Sequence, residues 1–79
     1  MDGMYKTNYD GTVFVKSEEA VIGVIIRDVK GHVIAVLAEK IPYPGSMEVL
    51  EALAVRRVAR FVVELGLTDS EFEGDSEVV

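Results

Sequence analysis

The hydrophobic period of this chain changes at Met47, and that change limits the folds that the chain can adopt. From there the apolar residues follow the i, i+3, i+4 spacing of one helix face: Met47, Leu50, Ala54, Val58, Phe61, Val62 and Leu65. Ser46 precedes them as an N-cap candidate, and Gly66 follows them where a helix C′ glycine belongs. The pattern predicts a helix of about five turns between these two caps.

The segments before the helix have the composition of β-strands. Residues 5–15 alternate loosely and are rich in aromatic and β-branched side chains. Residues 20–26 are continuously apolar, which is typical of a strand covered on both faces, and residues 32–41 alternate again. Turn residues at 28–31 separate these two runs, so we expect a hairpin.

A weaker signal follows the helix. Residues 67–73 are polar for a strand but predict a fourth one, and Gly74, Asp75 and Ser76 indicate its end and the start of a second helix. A strand reached through a helix is normally parallel to its neighbour, so we expect the fourth strand beside the first. The predicted fold class is therefore α+β, with three antiparallel strands, a helix and a parallel fourth strand in one mixed sheet.

Length and charge narrow the class of protein further. The 79 residues make one domain at most, and the 0 cysteines exclude a disulfide framework and a thiolate metal site. No apolar run approaches the roughly 20 residues of a membrane span, and the start has no signal segment, so we expect an intracellular protein without a membrane partner. A net charge of −6 excludes a simple basic clamp for nucleic acid but leaves room for carboxylates that hold divalent cations.

Three acids stand out by their positions in this predicted fold. Asp10 lies within the first strand, Glu51 lies on an apolar helix stripe that we expect to face the core, and Asp75 ends the fourth strand. If the fourth strand lies beside the first, the two aspartates become near neighbours and the helix brings Glu51 over them. Converging carboxylates repel one another, and a divalent cation relieves that cost. Oxygen ligands without cysteine favour Mg²⁺ or Mn²⁺ over Zn²⁺.

Each acid also has an ordinary structural interpretation. Asp10 and Gly11 make a good two-residue turn, which would pair residues 5–9 with residues 12–16. Glu51 can be an acid near the helix start that favours the helix dipole. Asp75 can cap the helix predicted after it. The evidence for a site is therefore the combined arrangement of the three acids and not any one of them.

Other residues have weaker signals. His32 follows a turn glycine, and we expect it to be exposed or paired and not a metal ligand. Gly23 in an apolar strand indicates a bulge or a close approach of another group. Arg56, Arg57 and Arg60 are typical of a solvated helix side.

Four segments together form a more specific pattern. They are KTNYDGTVF at residues 6–14, GVIIRD at 23–28, EALAVRR through ELGL at 51–67, and FEGDS at 72–76. In this order they resemble the first strand, the second strand with its hairpin, the first helix and the fourth strand of ribonuclease H-like domains. The likeness is to the type found in plant proteins and beside non-LTR retroelement reverse transcriptases, and it spans nearly the whole chain.

This resemblance implies a ribonuclease H fold with the strand order and directions given above. It implies that Asp10, Glu51 and Asp75 match the family's metal-binding catalytic carboxylates. Glu48 is a rival for the helix position, but the spacing of Glu51 to the end of the helix fits the family helix. The implied activity is cleavage of the RNA strand of an RNA–DNA hybrid, with Mg²⁺ or Mn²⁺ in a two-metal site and nucleic acid as the partner.

Two departures from the family pattern set further expectations. The family domain continues through later helices and a fifth strand with a fourth acid, so we expect residues 1–79 to be the N-terminal part of one such domain, inactive alone. Asp69, Ser70 and Glu71 stand where the family's fourth strand is usually apolar. The missing half would expose a sheet edge, so we also expect self-association. The alternative function is a catalytically silent binding module of the same fold.

Overall fold

A mixed sheet with a helix packed on one face forms the fold. The computed structural model describes the backbone of residues 4–78 and the side chains of residues 4–76. In chain order, its elements are β1 (Tyr5–Phe14), β2 (Glu19–Arg27), β3 (Val33–Pro42), α1 (Met47–Leu65) and β4 (Ser70–Val78).

The four strands form one mixed sheet, and α1 connects β3 to β4. The strands lie in the order β3-β2-β1-β4. β1 pairs antiparallel with β2, and β2 with β3, whereas β4 pairs in parallel with β1. A parallel pair requires a crossover, because the chain must return to the same end of the sheet, and α1 provides it. The predicted α+β class and the predicted strand directions are therefore confirmed.

The core lies between α1 and one face of the sheet. It contains alternate residues of β2 and one stripe of the helix, with one residue of β1: Val13, Ala20, Ile22, Val24, Ile26, Leu50, Ala54, Val58 and Val62. Val21 and Ile25 alternate with the buried residues of β2 and are only half-buried. The prediction that both faces of this strand are covered is therefore wrong, because α1 packs on one face. We call the other face, which carries Asn8, Asp10, Val21, Ile25 and Val36, the open face.

Both ends of α1 are capped as the sequence predicts. The Ser46 hydroxyl accepts a hydrogen bond from the backbone N–H of Val49 at 3.4 Å. Gly66 adopts the left-handed conformation, with φ at 71°. The backbone N–H of Leu67 donates to the Val62 carbonyl at 2.9 Å and closes the helix end. Among the described residues, no helix is both long enough and apolar enough to cross a membrane.

Asp28 organises the turn between β2 and β3. One of its carboxylate oxygens accepts the backbone N–H groups of Lys30 and His32, each at 2.9 Å. The bond from the His32 backbone is the main cause that holds the pKa of the Asp28 carboxyl below its usual value. His32 is exposed, and its Nδ1 lies 3.2 Å from the other Asp28 oxygen, so the residue is paired as expected.

β1 is not interrupted at Asp10 and Gly11. The strand runs without a break from Tyr5 to Phe14 and pairs with β2 from Lys6 to Phe14. The alternative hairpin within residues 5–16 is therefore wrong. Two partner strands satisfy the backbone groups of β1, and this ladder overrides the local turn preference of an Asp-Gly pair.

β4 differs from its prediction at both ends. It begins at Ser70 and not at residue 67, because the chain between is still closing the helix end. It extends to Val78, so the second helix predicted to start at Ser76 is wrong, and Asp75 lies within the strand and not at its end. Pairing with β1 continues through these residues and outweighs the local capping signal.

The edge formed by β3 exposes apolar side chains. Val33, Ile34 and Val36 are all exposed there. An apolar edge strand with unpaired backbone groups is a template for pairing with another chain. Self-association through an exposed edge remains a prediction, and β3 and β4 are the two edges of the described sheet.

Leu50 fixes the helix to the sheet, and its removal tests the assignment of the helix faces. We expect Leu50→Ala to lower the free energy of unfolding by about 2–5 kcal/mol, because it deletes fully buried apolar groups and leaves a cavity. Val63→Ala changes the exposed side of the same helix and is expected to stay within about 0.5 kcal/mol. Urea unfolding followed by circular dichroism measures both, and equal losses would contradict the assignment.

Candidate functional site

Asp10 and Asp75 occupy matching positions on neighbouring strands. They are Cα partners in the parallel register of β1 and β4. Neighbouring strands lie about 4.8 Å apart, and partner residues point to the same face of a sheet. The structure thus brings these two aspartates together on one side of the sheet.

That side is the open face. Thr7, Gly11 and Val13 alternate with Asp10 along β1 and are buried beneath α1, whereas Asp10 is exposed. Asp75 is exposed as well. A groove of about 570 Å³ runs over the open face, and both aspartates line it. Both residues are therefore accessible to a ligand from solvent.

Gly23 makes room for the Asp10 carboxylate. The two residues are partners in the antiparallel register of β1 and β2. A Cβ atom added at Gly23 would lie 2.6 Å from Asp10 Oδ1, a distance at which the carboxylate must shift. The close approach that this glycine predicts is therefore real, and the approaching group is the carboxylate of its partner residue.

Glu51 does not face the core, contrary to its prediction. Its neighbour Leu50 is fully buried against the sheet, and Glu51 is exposed. Successive helix residues are rotated by about 100°, so the two side chains cannot share one direction. Leu50 is four residues before Ala54 and joins the buried stripe, while Glu51 lies on the flank of the helix. Glu48, the rival acid, is also exposed, in the first turn.

Ser76 connects Glu51 to Asp75. The Ser76 hydroxyl donates a hydrogen bond to Glu51 Oε1 at 3.2 Å. The backbone N–H of the same serine donates to Asp75 Oδ1 at 2.8 Å. A second groove, of about 320 Å³, is lined by all three residues on the helix side of the sheet. The helix carboxylate and the strand carboxylate are therefore held by two polar groups of one residue.

The three acids do not form a ready cation site. The described residues include no group of three acidic, histidine or cysteine residues that could hold a metal ion. Asp10 and Asp75 offer oxygen donors from adjacent strands on one face, which is the chemistry that Mg²⁺ and Mn²⁺ prefer. Glu51 lies beyond Ser76, on the helix side. The donor chemistry of the two aspartates therefore suits a divalent cation. The Asp10 carboxylate, however, lies over β2, on the side of β1 away from β4, and the three-carboxylate set is not assembled in this arrangement.

Two residues of the site were missed by reasoning from the sequence. The sequence predicts the start of a helix at Ser76, whereas the structure shows that its hydroxyl donates to an acid 25 positions earlier in the chain. The sequence predicts a strand end at Gly74, whereas a Cβ atom there would overlap the ring of Tyr9. The tyrosine ring thus packs over β4 directly beside the candidate site. A small residue opposite an aromatic residue on a neighbouring strand is the signal that predicts such a contact once the register is known.

Comparison with known proteins identifies one related family. The model of the reverse transcriptase-like family matches residues 8–79. This range includes all three candidate acids. No curated protein and no solved structure gives a significant match.

The contact between Gly23 and Asp10 can be tested by a double-mutant cycle. Gly23→Ala forces the Asp10 carboxylate to rotate away, so we expect it to destabilise the wild-type chain and to shift the Asp10 side-chain carboxyl signal in ¹³C NMR. In an Asp10→Ala background there is no carboxylate over Gly23, so the added methyl group displaces nothing. There we expect it to be neutral or stabilising by up to about 1 kcal/mol, because alanine loses less backbone entropy than glycine in a strand.

The cycle gives a coupling energy from urea unfolding of the four proteins. Residues in direct contact typically couple by about 0.5–3 kcal/mol. Strictly additive effects of the two substitutions, together with an unchanged Asp10 carboxyl signal, would show that the carboxylate does not lie over β2.

Proposed function

The chain belongs to the reverse transcriptase-like family, which is of the ribonuclease H-like type, and on this premise we propose a role in metal-dependent hydrolysis of RNA. The proposed substrate is the RNA strand of an RNA–DNA hybrid, cleaved in a complete domain of this fold. The proposed catalytic and metal-binding residues are Asp10, Glu51 and Asp75. The cation is Mg²⁺ or Mn²⁺.

One observation carries this proposal. Asp10 and Asp75 are in-register partners on adjacent parallel strands, both exposed on the face that α1 leaves uncovered. Two like charges at adjacent strand positions repel each other and weaken the pairing. The pair of aspartates therefore does not stabilise the fold in the absence of a cation. A divalent cation between them reverses that penalty, and this supports a role in binding such an ion.

Each acid has a distinct part in the proposed reaction. Asp10 and Asp75 would hold the cation from the open face. Glu51 would also hold a cation and help to position the attacking water from the β4 edge, where its carboxylate accepts a hydrogen bond from Ser76. A bound divalent cation stabilises charge on the phosphate oxygens and lowers the pKa of a water molecule.

Recognition of the hybrid cannot rely on a general positive charge. The chain has a net charge of −6, and the groove beside Asp10 is also lined by Glu73. We propose that the hybrid is recognised by its shape and by its 2′-hydroxyl groups, which are the features that proteins contact in the wide minor groove of A-form duplexes. Cation binding would in addition reduce the repulsion between the acids and the phosphates.

The 79-residue chain alone is proposed to be inactive or nearly so. Its described residues do not assemble three acids into one ligand group, and Glu51 lies apart from the aspartate pair. This same observation favours the second candidate function, a catalytically silent binding module with the same fold. In that case Asp10 and Asp75 hold no cation.

A Mn²⁺ titration of the 79-residue chain, followed by NMR, separates the two functions. We expect the signals of Asp10, Glu51 and Asp75 to broaden together. Asp75→Asn is expected to weaken Mn²⁺ binding by roughly tenfold or more, since loss of even an outer-shell partner costs about that much. The matched control is Glu73→Gln, which makes the same charge change on the same strand and in the same groove, but opposite Asn8. It should produce only the small change of one surface charge.

Two outcomes bear on the proposal in opposite ways. No perturbation of the three acids by Mn²⁺ would reject the nuclease function and leave the binding module. Cleavage of a labelled RNA–DNA hybrid by the 79-residue chain with Mn²⁺, abolished by Asp10→Asn, would support the site but contradict the proposed inactivity of the chain alone.

A further inference from the structure

We infer that Ser76 is a positioning residue, whose hydroxyl fixes the Glu51 carboxylate against β4, the strand that carries Asp75. Its importance for catalysis rests on the proposed function, because the orientation of Glu51 matters to the reaction only if the three acids act together. Ser76 is not a ligand of the cation in this inference. It acts through Glu51.

The Glu51 carboxylate depends on this serine for its position. Glu51 is exposed on the flank of α1, and a long exposed acid samples many rotamers unless a partner orders it. Among the described side chains, the bond from the Ser76 hydroxyl at 3.2 Å is the contact that holds its carboxylate. A hydrogen bond to an ionised acceptor is stronger than a neutral one, so it can select one rotamer.

The link to Asp75 is made by a different group of the same residue. The Ser76 backbone N–H donates to Asp75 Oδ1 at 2.8 Å, and this donor is present whatever side chain stands at position 76. The two halves of the connection are therefore separable by substitution. Removing the hydroxyl releases Glu51 but leaves Asp75 in place.

The packing of the helix explains why Glu51 reaches a residue of β4. Ser76 is the β4 partner of Gly11 on β1. Gly11 has no side chain, and Leu50 lies so close above it that an added Cβ would be 3.3 Å from the leucine. The first half of α1 therefore lies close to the sheet at this point. Glu51 follows Leu50 directly and comes within hydrogen-bond distance of the adjacent strand.

The test compares three variants of the 79-residue chain by NMR, first without metal. Ser76→Ala is expected to shift the Glu51 side-chain carboxyl signal and to remove close-range contacts between Glu51 and residue 76, with little effect on Asp75. Ser76→Thr keeps a hydroxyl and should restore both. Ser70→Ala is the matched control, because it removes another hydroxyl of β4 whose partners are Thr7 and the Tyr5 carbonyl and not an acid. Urea unfolding of each variant reports any general loss of stability.

The metal-free result decides the inference by itself. An unchanged Glu51 carboxyl signal in Ser76→Ala, or an equal change in Ser70→Ala, would overturn it. Mn²⁺ is then added: we expect Ser76→Ala to weaken the broadening of Glu51 while Asp10 and Asp75 still broaden, and this result tests whether the fixed carboxylate serves the proposed function. Absence of any Mn²⁺ effect in the wild type would reject the proposed function instead, and the metal-free shift would still decide whether Ser76 positions Glu51.

Discussion

The parallel pairing of β4 with β1 is the interaction on which the rest of the structure depends. It joins residues that are more than 60 positions apart, such as Thr7 and Phe72, so its loop-closure entropy must be offset by burial elsewhere. α1 provides that burial, because the helix that connects the strands also covers β1 and β2 with its apolar stripe. The register of this pair then sets Asp75 beside Asp10 and Ser76 beside Gly11.

Because α1 packs on one face only, the two faces of the sheet differ chemically, and the candidate acids are divided between them. Asp10 and Asp75 lie on the open face, and Glu51 lies on the helix side. On the open face, Gly23 lets the Asp10 carboxylate lie across the neighbouring strand. On the helix face, Gly11 lets Leu50 approach the sheet closely. Glu51 can therefore contact β4 although it is not buried. In both cases a glycine has no side chain, and the space is occupied by a candidate acid (Asp10) or by the leucine beside one (Leu50).

The sequence predicts the elements well because each is encoded locally. The 3.6-residue period, Ser46 and Gly66 define α1 without any tertiary information. The direction of Glu51 is mispredicted because the apolar residues Ala54 and Val55 follow it at helical spacing. Only the packing shows that Val55 is exposed and that Leu50 is the residue buried over Gly11. The extent of β4 depends on its pairing with β1, and the contact of Ser76 depends on the position of α1. Neither can be predicted from the local sequence, which at this point shows only a helix-capping preference.

The most direct test of this account is the pairing of β1, measured from NOE contacts between backbone protons. The structure predicts contacts that advance in the same direction along both strands, from Asn8 with Glu73 to Thr12 with Glu77. Contacts of residues 5–9 with residues 12–16, which place Thr7 opposite Phe14, would instead show a hairpin at Asp10 and separate the two aspartates. That result would contradict the fold and with it the candidate site.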